Sequence, residues 1–98
     1  MTDNVKTSTV TNNKAANRFE TEVDGHRAVA EYKLNDRIIT FTHTEVPREL
    51  EGQGVAKRLI QSALDHARSE KLLVVPLCQF VASYIKRHPE NEDLVWKG

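Results

Sequence analysis

The sequence predicts an α+β domain: an antiparallel three-strand meander, then a helix, a buried strand, a short helix and a terminal strand. Two observations carry this expectation. Residues 19–44 alternate apolar and polar side chains at period two and are cut twice by tight-turn dipeptides, whereas residues 55–67 carry apolar side chains at helical spacing. Length sets the frame, because 98 residues at 39% hydrophobic content supply one modest core and not two.

Residues 1–16 are rich in Thr, Asn, Ser and Lys, with scattered valines. So little apolar surface predicts a flexible lead-in, an extra edge strand being the alternative, with the domain spanning 17–98. Phe19, Thr21 and Val23 then alternate with Arg18, Glu20 and Glu22 as a half-buried strand. Asp24-Gly25 follows, a dipeptide suited to a type I′ turn because glycine tolerates positive φ. Ala28, Ala30 and Tyr32, with Val29 and Leu34 on the other face, make the second strand. Asn35-Asp36 makes the second turn, and Arg37–Thr44 the third strand.

The period then changes. Val55, Leu59, Ile60, Ala63, Leu64 and Ala67 form one stripe, opposite Lys57, Arg58, Gln61 and Asp65, which predicts a helix from about Gly54 to Ser69. Leu72–Val75 is an apolar run ending at Pro76, suited to a buried central strand. Phe80, Val81, Tyr84 and Ile85 predict a shorter helix that stops near His88-Pro89. Residues 91–97, with Leu94, Val95 and a core-anchoring Trp96, complete the order β-β-β-α-β-α-β as a terminal strand.

Composition excludes several functions. Fourteen basic and fourteen acidic residues cancel, unlike the basic excess of a general nucleic-acid binder or a polybasic membrane-surface protein. No apolar stretch nears the roughly 20 residues of a membrane span. Without an apolar signal core the expected location is the cytoplasm. Cys78 is the sole cysteine, so no intrachain disulfide forms, and the four histidines show no close ligand spacing. No metal site is expected.

One segment points to a ligand. Glu51-Gly52-Gln53-Gly54-Val55-Ala56 lies between the third strand and the long helix. Small residues at 52, 54 and 56 let the backbone turn sharply and approach a ligand. Free amides and the helix dipole favour an anion there, and a pyrophosphate fits. Lys57 and Arg58 add charge in the first turn. Neither a Walker A loop nor a dinucleotide fingerprint is present, since Lys57 occupies the third glycine position. A purely structural loop is the alternative.

These residues resemble the GNAT superfamily of acyl-CoA-dependent N-acetyltransferases, whose Gln/Arg-x-x-Gly-x-Gly/Ala loop matches residues 51–56 except at Glu51. Together with His43-Thr44-Glu45-Val46-Pro47, Pro76-x-Cys78 and Tyr84-x-x-x-His88-Pro89, the chain from 17 to 98 resembles the minimal single-domain members. The resemblance implies an acetyl-CoA co-substrate with its pyrophosphate on the amides of Gly52, Gln53, Gly54, Val55, Ala56 and Lys57. It implies a pantetheine arm along Thr44, Glu45 and Val46. Glu51, acidic beside a phosphate site, is expected to point away. The chain lacks the helices that usually shape an acceptor site, so the acceptor amine stays unnamed.

Amine acetylation needs a proton acceptor, a polarised thioester and a protonated leaving thiolate. His43, beside the implied pantetheine track, suits the first task because imidazole exchanges protons near neutral pH. A backbone-satisfied histidine is the alternative. Cys78 opens the second helix, where the thiolate is favoured. It could line the acetyl pocket, take the acetyl group itself, or serve as a small core residue. Tyr84 matches the family tyrosine that protonates the departing sulfur, a core tyrosine being the alternative. Arg87 and His88 belong to a basic cluster suited to CoA phosphates, within a surplus of four positive charges between residues 52 and 88. The expected function is acetyl-CoA-dependent N-acetyl transfer by a monomer that binds neither nucleic acid nor membrane. The rival is a CoA-binding or protein-interaction module without turnover.

Overall fold

Period-two alternation and left-handed turns make the first half of the chain a meander. Asp24 and Gly25 both adopt positive φ (51° and 80°), and Asp36 does so in the second turn (59°). In the computed structural model, which describes residues 9–98, strands β1 (Thr11–Asn13), β2 (Arg18–Val23), β3 (His26–Asn35), β4 (Ile38–Glu45) and β5 (Leu73–Pro76) form one sheet in that spatial order. Strands β1 to β4 pair antiparallel; β5 joins β4 in parallel after a crossover through helix α1 (Val55–Ser69). Helix α2 (Gln79–Arg87) follows β5. The α+β class expected from sequence is the observed one.

One sheet face carries the core. Phe19, Ala30, Tyr32, Ile39 and Phe41 form a single buried cluster with Leu59, Leu64 and Ala67 of α1 and Val81 and Ile85 of α2. The Phe19 ring lies 5.4 Å from Tyr32 on the sheet and 5.4 Å from His66 on α1, tying the two layers together. The opposite face is polar, with Glu22, Arg27, Lys33, Thr42 and His43 exposed.

A bulge in β4 interrupts the alternation. Tyr32 pairs with Phe41 and Glu31 with His43, so Thr42 is an extra residue. Phe41 and Thr44 consequently both face the core, while Thr42 and His43 both face solvent. Without the bulge, His43 would share the face of Phe41 and Thr44 would leave it.

Three elements differ from expectation. Residues 9–16 are not a loose lead-in: Thr11–Asn13 extends the sheet and Lys14–Ala16 forms a 3-10 turn. Polar side chains hold this segment, with Val10 packed against the edge of the core. Tyr32 Oη donates to Asn12 Oδ1 at 2.7 Å, and Asn13 Oδ1 accepts from Ala16 N at 3.2 Å. Residues 1–8 of the expected tail lie outside the described residues. Second, the Leu72–Val75 run is not central, because β5 ends the sheet order. Its edge is covered by the C-terminal segment, where Trp96 N donates to Val74 O at 2.9 Å.

Third, the terminal strand contracts to one bridge, Val74 to Val95. Pro89–Leu94 winds instead as a 3-10 helix, since Pro89 suits a helical first position and Glu90–Asp93 offers no alternation. Arg68 on α1 grips Asp93 through two hydrogen bonds (2.8 and 3.0 Å). Trp96 is 46% exposed and anchors no core.

Candidate functional site

The loop 51–54 turns sharply into α1. Gly52 and Gly54 take φ of 83° and 75°, the left-handed region where side chains are strained. A Cβ at Gly52 would meet nothing within 4 Å, so this backbone faces open space. The first helical hydrogen bond runs from Arg58 N to Gly54 O. The amides of Val55, Ala56 and Lys57 therefore have no acceptor among the described residues, and no side chain caps them. Gln53 is tied back by its Nε2 to Glu49 O at 3.1 Å, and Glu51 is exposed. Three free amides at a dipole terminus suit an anionic group, so the residues present fit a pyrophosphate.

From this terminus a groove of about 600 Å³ runs between α1 and α2. Lys57 and Ile60 form one wall, and Phe80, Tyr84, Arg87 and His88 the other. The fold thus brings Arg87 and His88, distant in sequence, beside Lys57. Tyr84 stacks on His88 with ring centres 4.1 Å apart, and its hydroxyl donates to Gln61 Oε1. Burial raises the Tyr84 phenol above its usual range, and the carboxylates of Glu90 and Asp65 raise it further. The phenol keeps its proton at neutral pH. Phe80 is half exposed over the groove, an apolar platform in a basic surround.

A smaller hollow of about 190 Å³ links Val46 to Gly52, Gly54 and Phe80, continuing the groove toward the end of β4. There the two parallel strands part. Their pairing ends at Phe41 and Pro76, and Cys78 N donates to Phe41 O at 3.0 Å as the chain turns into α2. Past this point no strand among the described residues pairs with Thr44–Glu45 on the β5 side. Thr44 is buried, and Cys78 Sγ donates to its hydroxyl at 3.2 Å. Cys78 is itself buried at the start of α2.

His43 stands apart from this line. It is exposed on the polar face, with Nε2 at 3.6 Å from Glu45 Oε1. Cys78 with Thr44 faces the helices, His43 faces away, and Tyr84 is held by α1. The three expected catalytic side chains therefore do not form one hydrogen-bonded cluster. No group of metal-ligating side chains occurs among the described residues.

Sequence reasoning missed Gln61, placed on the solvent face of α1 yet the acceptor for Tyr84 and donor to Asp65 at 2.7 Å. It also missed the Thr42 bulge. The signal was present: Ile39 and Phe41 are apolar at odd positions, but the next apolar residue, Val46, is even. That phase change marks one inserted residue.

Comparison with known proteins places these features in a family. The family model described as GCN5-related N-acetyl-transferase matches residues 18–94. Protein NATD1 of Mus musculus is 34% identical over 83 residues, spanning 82% of this chain and 76% of that protein. Protein NATD1 of Homo sapiens is also 34% identical, over 82% of this chain and 74% of its own length. The NMR solution structure of a GCN5-like protein from Staphylococcus aureus superposes with a TM-score of 0.66 at 28% identity, covering 82% of this chain and 81% of that one.

Proposed function

The chain belongs to the GCN5-related N-acetyltransferase family as a minimal single-domain member, and on that premise we propose that it transfers an acetyl group from acetyl-CoA to an amine. The observation that carries the proposal is the continuous track from Val46 past the unpaired amides of Val55–Lys57 to Tyr84 and Arg87. Acetyl-CoA supplies an activated thioester; the chain supplies position and proton transfers. The amides of residues 55–57 hold the pyrophosphate, Lys57, Arg58, Arg87 and His88 add positive charge, and the end of β4 from Thr44 to Val46 lines the pantetheine arm.

In the transfer itself a nitrogen–carbon bond forms and the carbon–sulfur bond breaks. His43 takes the proton the amine loses, from an acceptor that approaches the open sheet face. Tyr84, a phenol that carries its proton at neutral pH, gives that proton to the departing thiolate. Cys78 and Thr44 wall the acetyl end without entering the bond changes.

The dispersion of His43, Cys78 and Tyr84 over different faces favours a second reading, a CoA-binding module without turnover. Incubation with acetyl-CoA and a panel of primary amines, followed by mass spectrometry of products, separates the two. Acetylated amine supports transfer. CoA binding without any acetylated product supports the module.

A further inference from the structure

Arg58 has hydrogen-bonding capacity that the fold leaves unused. Its Nε and Nη2 are shut off from solvent and have no partner among the described residues; Nη1 alone reaches Gln53 O, at 3.4 Å. A guanidinium stays charged at all physiological pH and presents five donors in a fixed fork. Donors of a charged group left buried and unmatched are costly, and such groups in folded proteins call for a specific account. A ligand that brings its own acceptors provides one.

The surroundings say which kind. Arg58 lines a second cavity, of about 510 Å³, with Val10, Lys57, Gln61, Ser62 and His88, and no carboxylate among the described residues contributes to its wall. This cavity adjoins the groove between the helices through Lys57, Tyr84 and His88, which border both. The free amides of Val55–Lys57 serve one anionic group, whereas the Arg58 fork lies on the flank of the same first helical turn. The pattern calls for a ligand with two separate anionic groups.

Resting on the CoA reading above, we infer that this flank receives the phosphomonoester on the ribose of CoA, and that Arg58 is the residue by which the protein distinguishes CoA from dephospho-CoA. A phosphomonoester carries close to two negative charges at neutral pH and three acceptor oxygens. It matches the charges of Lys57 and Arg58 and can take both free nitrogens of the guanidinium in a bidentate pair. The side chain reaches it by rotation about its own flexible stem, without movement of the helix.

Isothermal titration of the whole chain with CoA, with dephospho-CoA and with inorganic phosphate tests this, alongside Arg58→Gln and Arg58→Lys. The parent protein is expected to favour CoA over dephospho-CoA at least tenfold, about 1.4 kcal/mol. Arg58→Gln is expected to bind both alike, near the parent's affinity for dephospho-CoA, and Arg58→Lys to keep part of the preference. Thermal melts of each variant confirm that it is folded. Equal affinities in the parent overturn the inference and leave the CoA reading standing. A full preference in folded Arg58→Gln also overturns it, by assigning the phosphate to other cations. Inorganic phosphate binding at Arg58 without discrimination between the two nucleotides overturns it in favour of a free-anion site. Binding of neither nucleotide removes the CoA reading itself.

Discussion

The thiol of Cys78 donates to the hydroxyl of Thr44 across the point where β4 and β5 part, at 3.2 Å. Thirty-four positions separate the two residues, and a single inserted residue, Thr42, makes their meeting possible. The bulge turns Thr44 toward the helices and His43 toward solvent. It therefore decides which of the two consecutive side chains takes which face of the strand, Thr44 facing the proposed cofactor and His43 the proposed acceptor.

Direct transfer makes the Cys78 sulfur dispensable. Cys78→Ser is expected to keep CoA binding and measurable turnover, because serine retains a donor for Thr44 at similar volume. Intact mass of the parent protein after incubation with acetyl-CoA alone should show no stable increment. Complete loss of turnover with intact binding, together with an acetyl adduct on Cys78, would assign the thiol a covalent role.

His43 is expected to act on rate and not on affinity. His43→Ala should lower turnover about a hundredfold or more, the scale of a positioned proton acceptor, while calorimetric CoA affinity and melting temperature stay near the parent's. Its exposure on the sheet makes a folding role small. A matching loss of CoA affinity would make it a binding residue.

Gly54 is expected to tolerate no β-branched side chain. At φ 75° a valine is strained by about 1–2 kcal/mol before any ligand is present. Gly54→Val should thus lower the melting temperature and also weaken CoA binding at least tenfold. Asparagine, which accepts the left-handed region more readily, should recover stability. The two losses separate if Gly54→Asn folds well and still binds poorly.

Tyr84 and Tyr32 link stability to alkaline pH. Burial raises both phenols above their unfolded value of about 10. The native state thus favours the protonated form, and the stabilisation is fully present below pH 10 and lost as pH rises through the raised values. Melting temperature should be flat on this account from neutral pH to about 10 and then fall. The double variant Tyr32→Phe, Tyr84→Phe should show a shallower fall. An equal alkaline slope in both proteins would remove these phenols from the account.

The loop and helix start of the candidate site were legible in the sequence because their signals are local. Gly52 and Gly54 before a helical stripe, and the alternation of residues 18–23, depend only on neighbours in the chain. Arg87 and His88 read as a basic cluster for the same reason. What was not legible depends on long-range satisfaction of polar groups. Asn12 joins the sheet by accepting from Tyr32, twenty positions away, and Gln61 leaves the solvent face by accepting from Tyr84. Trp96, the largest apolar side chain of the C-terminal segment, invited burial. The 3-10 turn after Pro89 spends the residues that would have carried it into the sheet.

The central claim is that acetyl-CoA lies along the end of β4 and the first turn of α1. Two-dimensional amide NMR of the labelled chain, titrated with acetyl-CoA, tests it most directly. The account predicts the largest shifts at the amides of Gly52–Lys57, with a second group at Thr44–Val46 and around Tyr84 and Arg87. Shifts confined to the open sheet face or to the far end of α1 near His66, or no saturable shifts at all, would contradict it.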